Sequence, residues 1–324
     1  MVLSVFCEII IEEDLREFQE TVSIILVEWL RIEEEFIAGF EFVCSQLQKI
    51  ILVMLFNEQW HQLQTQIHIL NQITNGEIEK NNLIRGVSAK IHENLAEPDI
   101  LDRLVTVYLD ENDDRHEVAR DILIHLGRFA AMFLVQKLIY SNNREDRFAL
   151  IDIIPQVGEV SVPVLSDCLD DNPQWFVIRN IILIISRIGD TELFYLVEPY
   201  LTYPDIRVQQ QVINCIEILG GTQMRKRMIS ALMAVNDDLK GQIINQLGQF
   251  ADGDVGQAFV ELLSQRETIS RHIRDELVLK LCIRIQRYPS SSAVACLQDL
   301  VKQRTALFGE NDRITQVAVS TVQE

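Results

Sequence analysis

The stretch 98–127, PDILDRLVTVYLDENDDRHEVARDILIHLG, decides the fold, because its closing glycine returns at a constant step. Gly127, Gly158, Gly189 and Gly220 stand 31 residues apart, each after an aliphatic residue (Leu126, Val157, Ile188, Leu219). The period runs through the whole unit. Ala119, Leu150, Ile181, Val212 and Ile243 form one apolar column, and Leu123, Ile154, Ile185, Ile216 and Leu247 form a second, four residues on. Residues four apart share one face of a helix, so the two columns are a single apolar stripe presented once per repeat. Self-similarity at such a period is the signature of stacked helical units.

Each unit reads as two helices. In the third, Thr191–Leu201 is the expected first helix, Thr202 to Asp205 the turn, and Val208–Leu219 the second helix, stopped by Gly220. Pro173 and Pro204 occupy matching places where a proline can open a helix without losing a hydrogen bond. The turns are rich in Asp and Asn (Asp110 to Asp114, Asn142-Asn143, Asp170 to Asn172, Asn236 to Asp238), which supply acceptors for the N–H groups that begin the next helix. The glycines are expected to end helices in the left-handed conformation.

The segments DRHEVARDILIHLG (114–127), NPQWFVIRNIILIISRIG (172–189) and YPDIRVQQQVINCIEILG (203–220) resemble the second helix of the HEAT-repeat family, over about residues 83–263. That resemblance implies an all-α, right-handed superhelix of about six to nine helix pairs. It divides the chain into an atypical helical cap (1–80), repeats of period 31 (81–263), a C-terminal helical cap (264–308) and a polar tail (309–324). In that family an arginine near the start of the second helix commonly packs across the ladder. Arg115, Arg147, Arg179 and Arg207 stand near such places, and their guanidinium groups can meet carboxylates such as Asp113 or Asp205 or bind an anion. Trp175 and Phe176 follow a turn directly, either plugging the joint between repeats or forming an exposed anchor.

The sharpest chemical hint is His116-Glu117. It resembles the His-Glu pairs with which deoxyhypusine hydroxylase, a HEAT-repeat enzyme, holds iron. The matching positions of the next two repeats are Arg147-Phe148 and Ile178-Arg179, and His92-Glu93 is out of register, so the pattern does not continue. The chain is similar to HEAT-like subunits of phycobilin lyases through shared repeats only. His61 and His68 share a helix face with no further ligand nearby in sequence, and no phosphate-binding loop or nucleophile motif is present. No cofactor or metal is expected.

Outside the repeats, residues 10–56 contain no proline and alternate acidic clusters (Glu12-Glu13-Asp14, Glu33-Glu34-Glu35) with large apolar residues such as Phe36, Phe40 and Phe42. Such a segment either packs internally as a cap or covers a second copy or a partner. Arg225-Lys226-Arg227 is the one tight basic cluster.

The formal charge of the 324 residues is -19 and is unevenly placed: 17 acids face 6 bases in residues 1–100, 17 face 9 in 101–200, and 14 face 14 thereafter. Such a field disfavours nucleic acid and anionic membrane and favours a basic or neutral protein partner. The six cysteines form no C-x-x-C pair and read as reduced core thiols, in keeping with a cytoplasmic location. The longest apolar run, Ile50 to Phe56, is too short to span a bilayer. The expected function is a non-catalytic scaffold or adaptor with a curved, partly acidic surface. The candidate contacts are Asp110, Asp113, Asp114, Trp175, Phe176, Arg179 and Arg207, and self-association through the N-terminal region is a further expectation. The alternatives are an enzyme or lyase/hydroxylase-like subunit on the same repeats, and a self-assembling structural protein.

Overall fold

The computed structural model describes residues 2–12, 15–170, 173–309 and 311–323. It is all helical there, with no strand. Glu13, Asp14, Asp171 and Asn172, assigned above to acidic or turn segments, lie outside the described residues. The chain divides into two units, Met1–Pro173 and Gln174–Glu324.

The first unit holds α1 (Val2–Glu12), α2 (Arg16–Ile32), α3 (Phe40–Phe56), α4 (Trp60–Asn75), α5 (Asn82–Leu95), α6 (Pro98–Leu109), α7 (His116–His125), α8 (Gly127–Tyr140), α9 (Arg144–Ile153) and α10 (Val162–Asp170). Helices pack on their neighbours and on the next but one: α2 on α3 and α4, α3 on α5, α4 on α5 and α7, α6 on α7 and α8. The second unit holds α11 (Trp175–Ile188), α12 (Phe194–Val197), α13 (Ile206–Leu219), α14 (Met224–Ala234), α15 (Asp237–Leu247), α16 (Gly253–Ser264), α17 (Arg271–Ile285), α18 (Ser291–Phe308) and α19 (Arg313–Gln323). There α11 lies on α13, α14 on α15 and α16, α15 on α17, and α16 on α17 and α18. This is the helix-on-helix ladder of an α-solenoid within each unit, as the 31-residue period implies.

Burial drives these helices more than propensity does. α11, WFVIRNIILIISRI, carries six isoleucines, each roughly 0.5 kcal/mol or less worse than alanine in a helix. Five of them (Ile178, Ile181, Ile182, Ile184, Ile185) are buried, and each such burial is worth about 1.5–3 kcal/mol. Packing therefore wins by several-fold. Every residue of the two sequence columns, from Ala119 and Leu123 to Ile243 and Leu247, is at most 1% exposed.

Asp and Asn side chains cap several helices, though α7 and α11, which follow two of the Asp-rich turns, have no side-chain cap. The side chains of Asn143, Asp205, Asn236 and Asp252 accept the backbone N–H two residues on, opening α9, α13, α15 and α16. Because Asp205 is itself the cap, Pro204 lies before the helix rather than at its first position, and Pro173 likewise precedes Gln174, the cap of α11. Pro98 does stand at the first position of a helix, α6.

Three further expectations change. Thr191–Leu201 is not one helix but a 3₁₀ turn, the short α12 and a second 3₁₀ stretch at Glu198–Thr202, because Pro199 has no N–H to continue the α pattern. Gly189 does end α11 left-handed (φ 82°), whereas Gly220 is right-handed (φ −64°). A side chain at Gly220 would collide with the Ile216 carbonyl and lie 2.6 Å from Met224 Cα, so close approach explains that glycine. Gly253 and Gly256 are both inside α16, and a Cβ on Gly256 would lie 2.6 Å from that of Tyr288. Residues 313–323, expected as a polar tail, form α19, with Ile314 and Ala318 buried against α17 and α18. Asp312 anchors its start, accepting from Arg304 (2.8 Å) and from the Thr315 backbone N–H (3.0 Å).

All six cysteines are free. Burial pushes the thiols of Cys44, Cys215 and Cys282 up to about 12, the direction of inert core residues. No single described helix is long and apolar enough to cross a membrane.

The crowding at α16 separates two neighbouring glycines. Gly256→Ala is expected to cost about 1–3 kcal/mol by overpacking against Tyr288. Gly253→Ala, where nothing lies within 4 Å, should change stability by less than about 0.5 kcal/mol. Urea unfolding of the two variants measures both.

Candidate functional site

A cleft of about 800 Å³ lies in the first unit, between the α6–α7 turn and α9. Its floor is aromatic. Tyr108, near the end of α6, stacks on His116 at the start of α7 with ring centroids 5.0 Å apart, and Phe148 of α9 lies beside them. The Tyr108 hydroxyl donates to the Ala149 carbonyl at 2.9 Å, tying α6 to α9.

The rim is acidic. Asp110, Glu111, Glu117, Glu145, Asp146 and Asp152 line it, with Arg120 as the cation among the lining residues. Arg120 is held by Glu117 (3.0 Å) and donates to Gln156. The negative field is felt by Tyr108: burial first, then Asp152 with Glu117 and Glu111, pushes its hydroxyl up to about 12.

The sequence candidates separate into three groups. Asp110 lines the cleft, where its side chain also accepts the Asn112 backbone N–H at 3.1 Å. Asp113 does not line it, because its carboxylate is committed to Arg115. It accepts the Arg115 backbone N–H (2.9 Å), Nε (3.0 Å) and Nη2 (2.8 Å). Those bonds hold its carboxyl down at about 2. Arg115 also meets Glu58 and lies 5.2 Å over the ring of Trp60. Asp114 is exposed and outside the cleft lining.

In the second unit the same device recurs. Asp205 accepts from the Arg207 backbone N–H (2.9 Å), Nε (2.9 Å) and Nη2 (2.6 Å), and Arg207 stacks 3.3 Å above the Trp175 ring. Trp175 and Phe176, in edge-to-face contact at 6.0 Å, are half-buried. The Arg207 guanidinium thus covers one face of the Trp175 ring. Arg179 is exposed on α11, and Arg147 donates to the Ser141 carbonyl in its own turn. The basic cluster is partly engaged as well: Arg225 pairs with Asp252 at 3.0 Å, and Arg227 lies 4.2 Å over Phe194 and donates to Leu219.

His116 and Glu117 are 3.9 Å apart, and no group of three or more metal-ligating side chains converges among the described residues. Sequence reasoning missed Tyr108, Glu145, Asp146 and Asp152. A usable signal was present, because stepping Asp114 and Asp121 by one repeat lands on Glu145 and Asp152.

No known family profile and no curated protein matches the chain. It is similar to a solved structure described as the complex of CpcE and CpcF of phycocyanin lyase from Nostoc sp. PCC7120. The identity is 14% over 78% of this chain and 93% of that one, with a TM-score of 0.26, too low to support any inference about activity.

The Asp113–Arg115 pair has a direct readout. The Asp113 carboxyl should titrate near pH 2 by NMR, taking up its proton only when pH falls through that value. In Arg115→Gln it should rise toward the ordinary value near 3.9, held somewhat below it by the backbone N–H of residue 115.

Proposed function

We propose that this protein is a non-catalytic binding module whose acidic cleft receives a Lys- or Arg-bearing segment of a protein partner. The observation that carries the proposal is the set of six carboxylates around the Tyr108–His116 floor. A cationic side chain entering there gains both charge attraction and an aromatic face. The excess of acids in residues 1–200 extends that attraction beyond the cleft.

Two other readings rest on observations of their own. An enzyme or enzyme-subunit reading draws on His116, whose Nδ1 is buried and unpartnered beside Glu117. Self-association draws on the apolar face of α1 and α2, where Phe18, Ile25 and Ile32 follow one another at seven-residue steps and are 55%, 58% and 67% exposed. Phe6 and Ile9 of α1 are exposed as well.

A fluorescent arginine-rich peptide should bind the full chain and weaken as salt rises. Glu111→Lys with Glu145→Lys should reduce affinity at least about tenfold, or about 1.4 kcal/mol. Glu192→Lys with Glu198→Lys, an equal charge change in the second unit, should leave it within about twofold. Equal losses in the two double variants would sink the cleft assignment. If the α1–α2 face instead joins two copies, Phe18→Glu with Ile25→Glu converts a sedimenting dimer into monomer.

A further inference from the structure

A second cavity, of about 320 Å³, lies elsewhere in the first unit, where the C-terminal end of α4, α5, the start of α8 and the segment before α10 meet. Leu126, Phe129, Val160 and Pro163 give it apolar walls, and His92 of α5 lines it. Gly127 also lines it, and His92 Cε1 lies 3.8 Å from where a Gly127 Cβ would stand, so the bare glycine leaves that ring edge uncovered by a side chain.

His92 is 4% exposed, and its Nε2 is buried with no hydrogen-bond partner from the protein. Burial lowers its pKa to about 4, opposed by a hydrogen bond to the His125 backbone. The imidazole is therefore neutral near pH 7, and Nδ1 is the nitrogen left to meet that carbonyl. Nε2 then carries a lone pair rather than a proton. A buried acceptor with nothing to accept from is costly by a factor of roughly 5–150 in equilibrium terms, and most such groups in folded proteins are satisfied.

The surroundings select the ligand. No carboxylate lines the cavity, and Asn71 and Asn75 at its edge are bonded to each other at 2.7 Å. The Thr74 hydroxyl donates to the Leu70 carbonyl. The exposed Arg128 is the sole charged lining residue. An anion would face the lone pair of a neutral imidazole, while a purely apolar guest would leave Nε2 unsatisfied.

We propose that this cavity binds a small uncharged molecule with an apolar body and one hydroxyl group, which donates its hydrogen to His92 Nε2. The site is separate from the acidic cleft and independent of the peptide-binding reading.

The test uses the full chain with ¹⁵N-labelled histidine and three probes of matched size: 4-ethylphenol, its methyl ether 4-ethylanisole, and 4-ethylbenzoate. Binding of 4-ethylphenol should shift the His92 Nε2 resonance and be about tenfold tighter than that of the ether, which lacks the donor. Val160→Trp, which fills the cavity, should abolish binding while leaving the free His92 resonances those of a neutral ring. His92→Leu should bring the phenol and the ether to equal affinity. Equal affinities in the unaltered protein, preferred binding of 4-ethylbenzoate, no response of His92 to the phenol, or an Nε2 already bonded to a bound water that the phenol does not displace would each overturn the proposal.

Discussion

The structure depends on one constraint: no helix in the repeats can cover its own aliphatic stripe. Ile181 and Ile185, Val212 and Ile216, Ile243 and Leu247 are each fully buried, yet each pair lies on a single helix whose opposite side meets water. The stripe is removed from solvent only by helices before and after it, so stability is shared between neighbours. The ends of such a ladder need a different solution. In the second unit α19 supplies it, burying Ile314 and Ala318 while presenting polar residues outward. In the first unit α1 and α2 keep large apolar side chains in water, which marks them for attention as a contact face.

A second regularity organises the charge. Asp113 with Arg115, and Asp205 with Arg207, are the same local clamp: one carboxylate accepts the backbone N–H two residues on and holds that residue's guanidinium over a tryptophan. The clamp pairs those acids and arginines with each other within the chain. What defines the cleft is therefore the set of acids outside such clamps, Asp110, Glu111, Glu145, Asp146 and Asp152 among them. Net charge alone would not have distinguished the two kinds.

The chemical-looking residues are redistributed in the same way. His116, singled out for its neighbour Glu117, works with Tyr108 as the floor of the cleft. His92, whose sequence context is out of register with any motif, is the more unusual group, because its ring is enclosed and half-satisfied. Both facts follow from packing between helices far apart in sequence. The repeat pattern places the helices without saying which side chain is left facing a gap.

The amino-acid sequence by itself determined the helical repeat, the buried columns and the capping of several helices. Periodicity, Asx caps and glycine stops act within one or two turns of chain, and their physics is local. Tertiary structure alone decided that residues 313–323 pack as a helix, that Gly220 and Gly256 are small because other groups crowd them, and that Trp175 lies beneath Arg207. It also decided which acids of separate turns converge on one cleft. Those outcomes depend on which atoms meet in three dimensions, which a one-dimensional pattern does not carry.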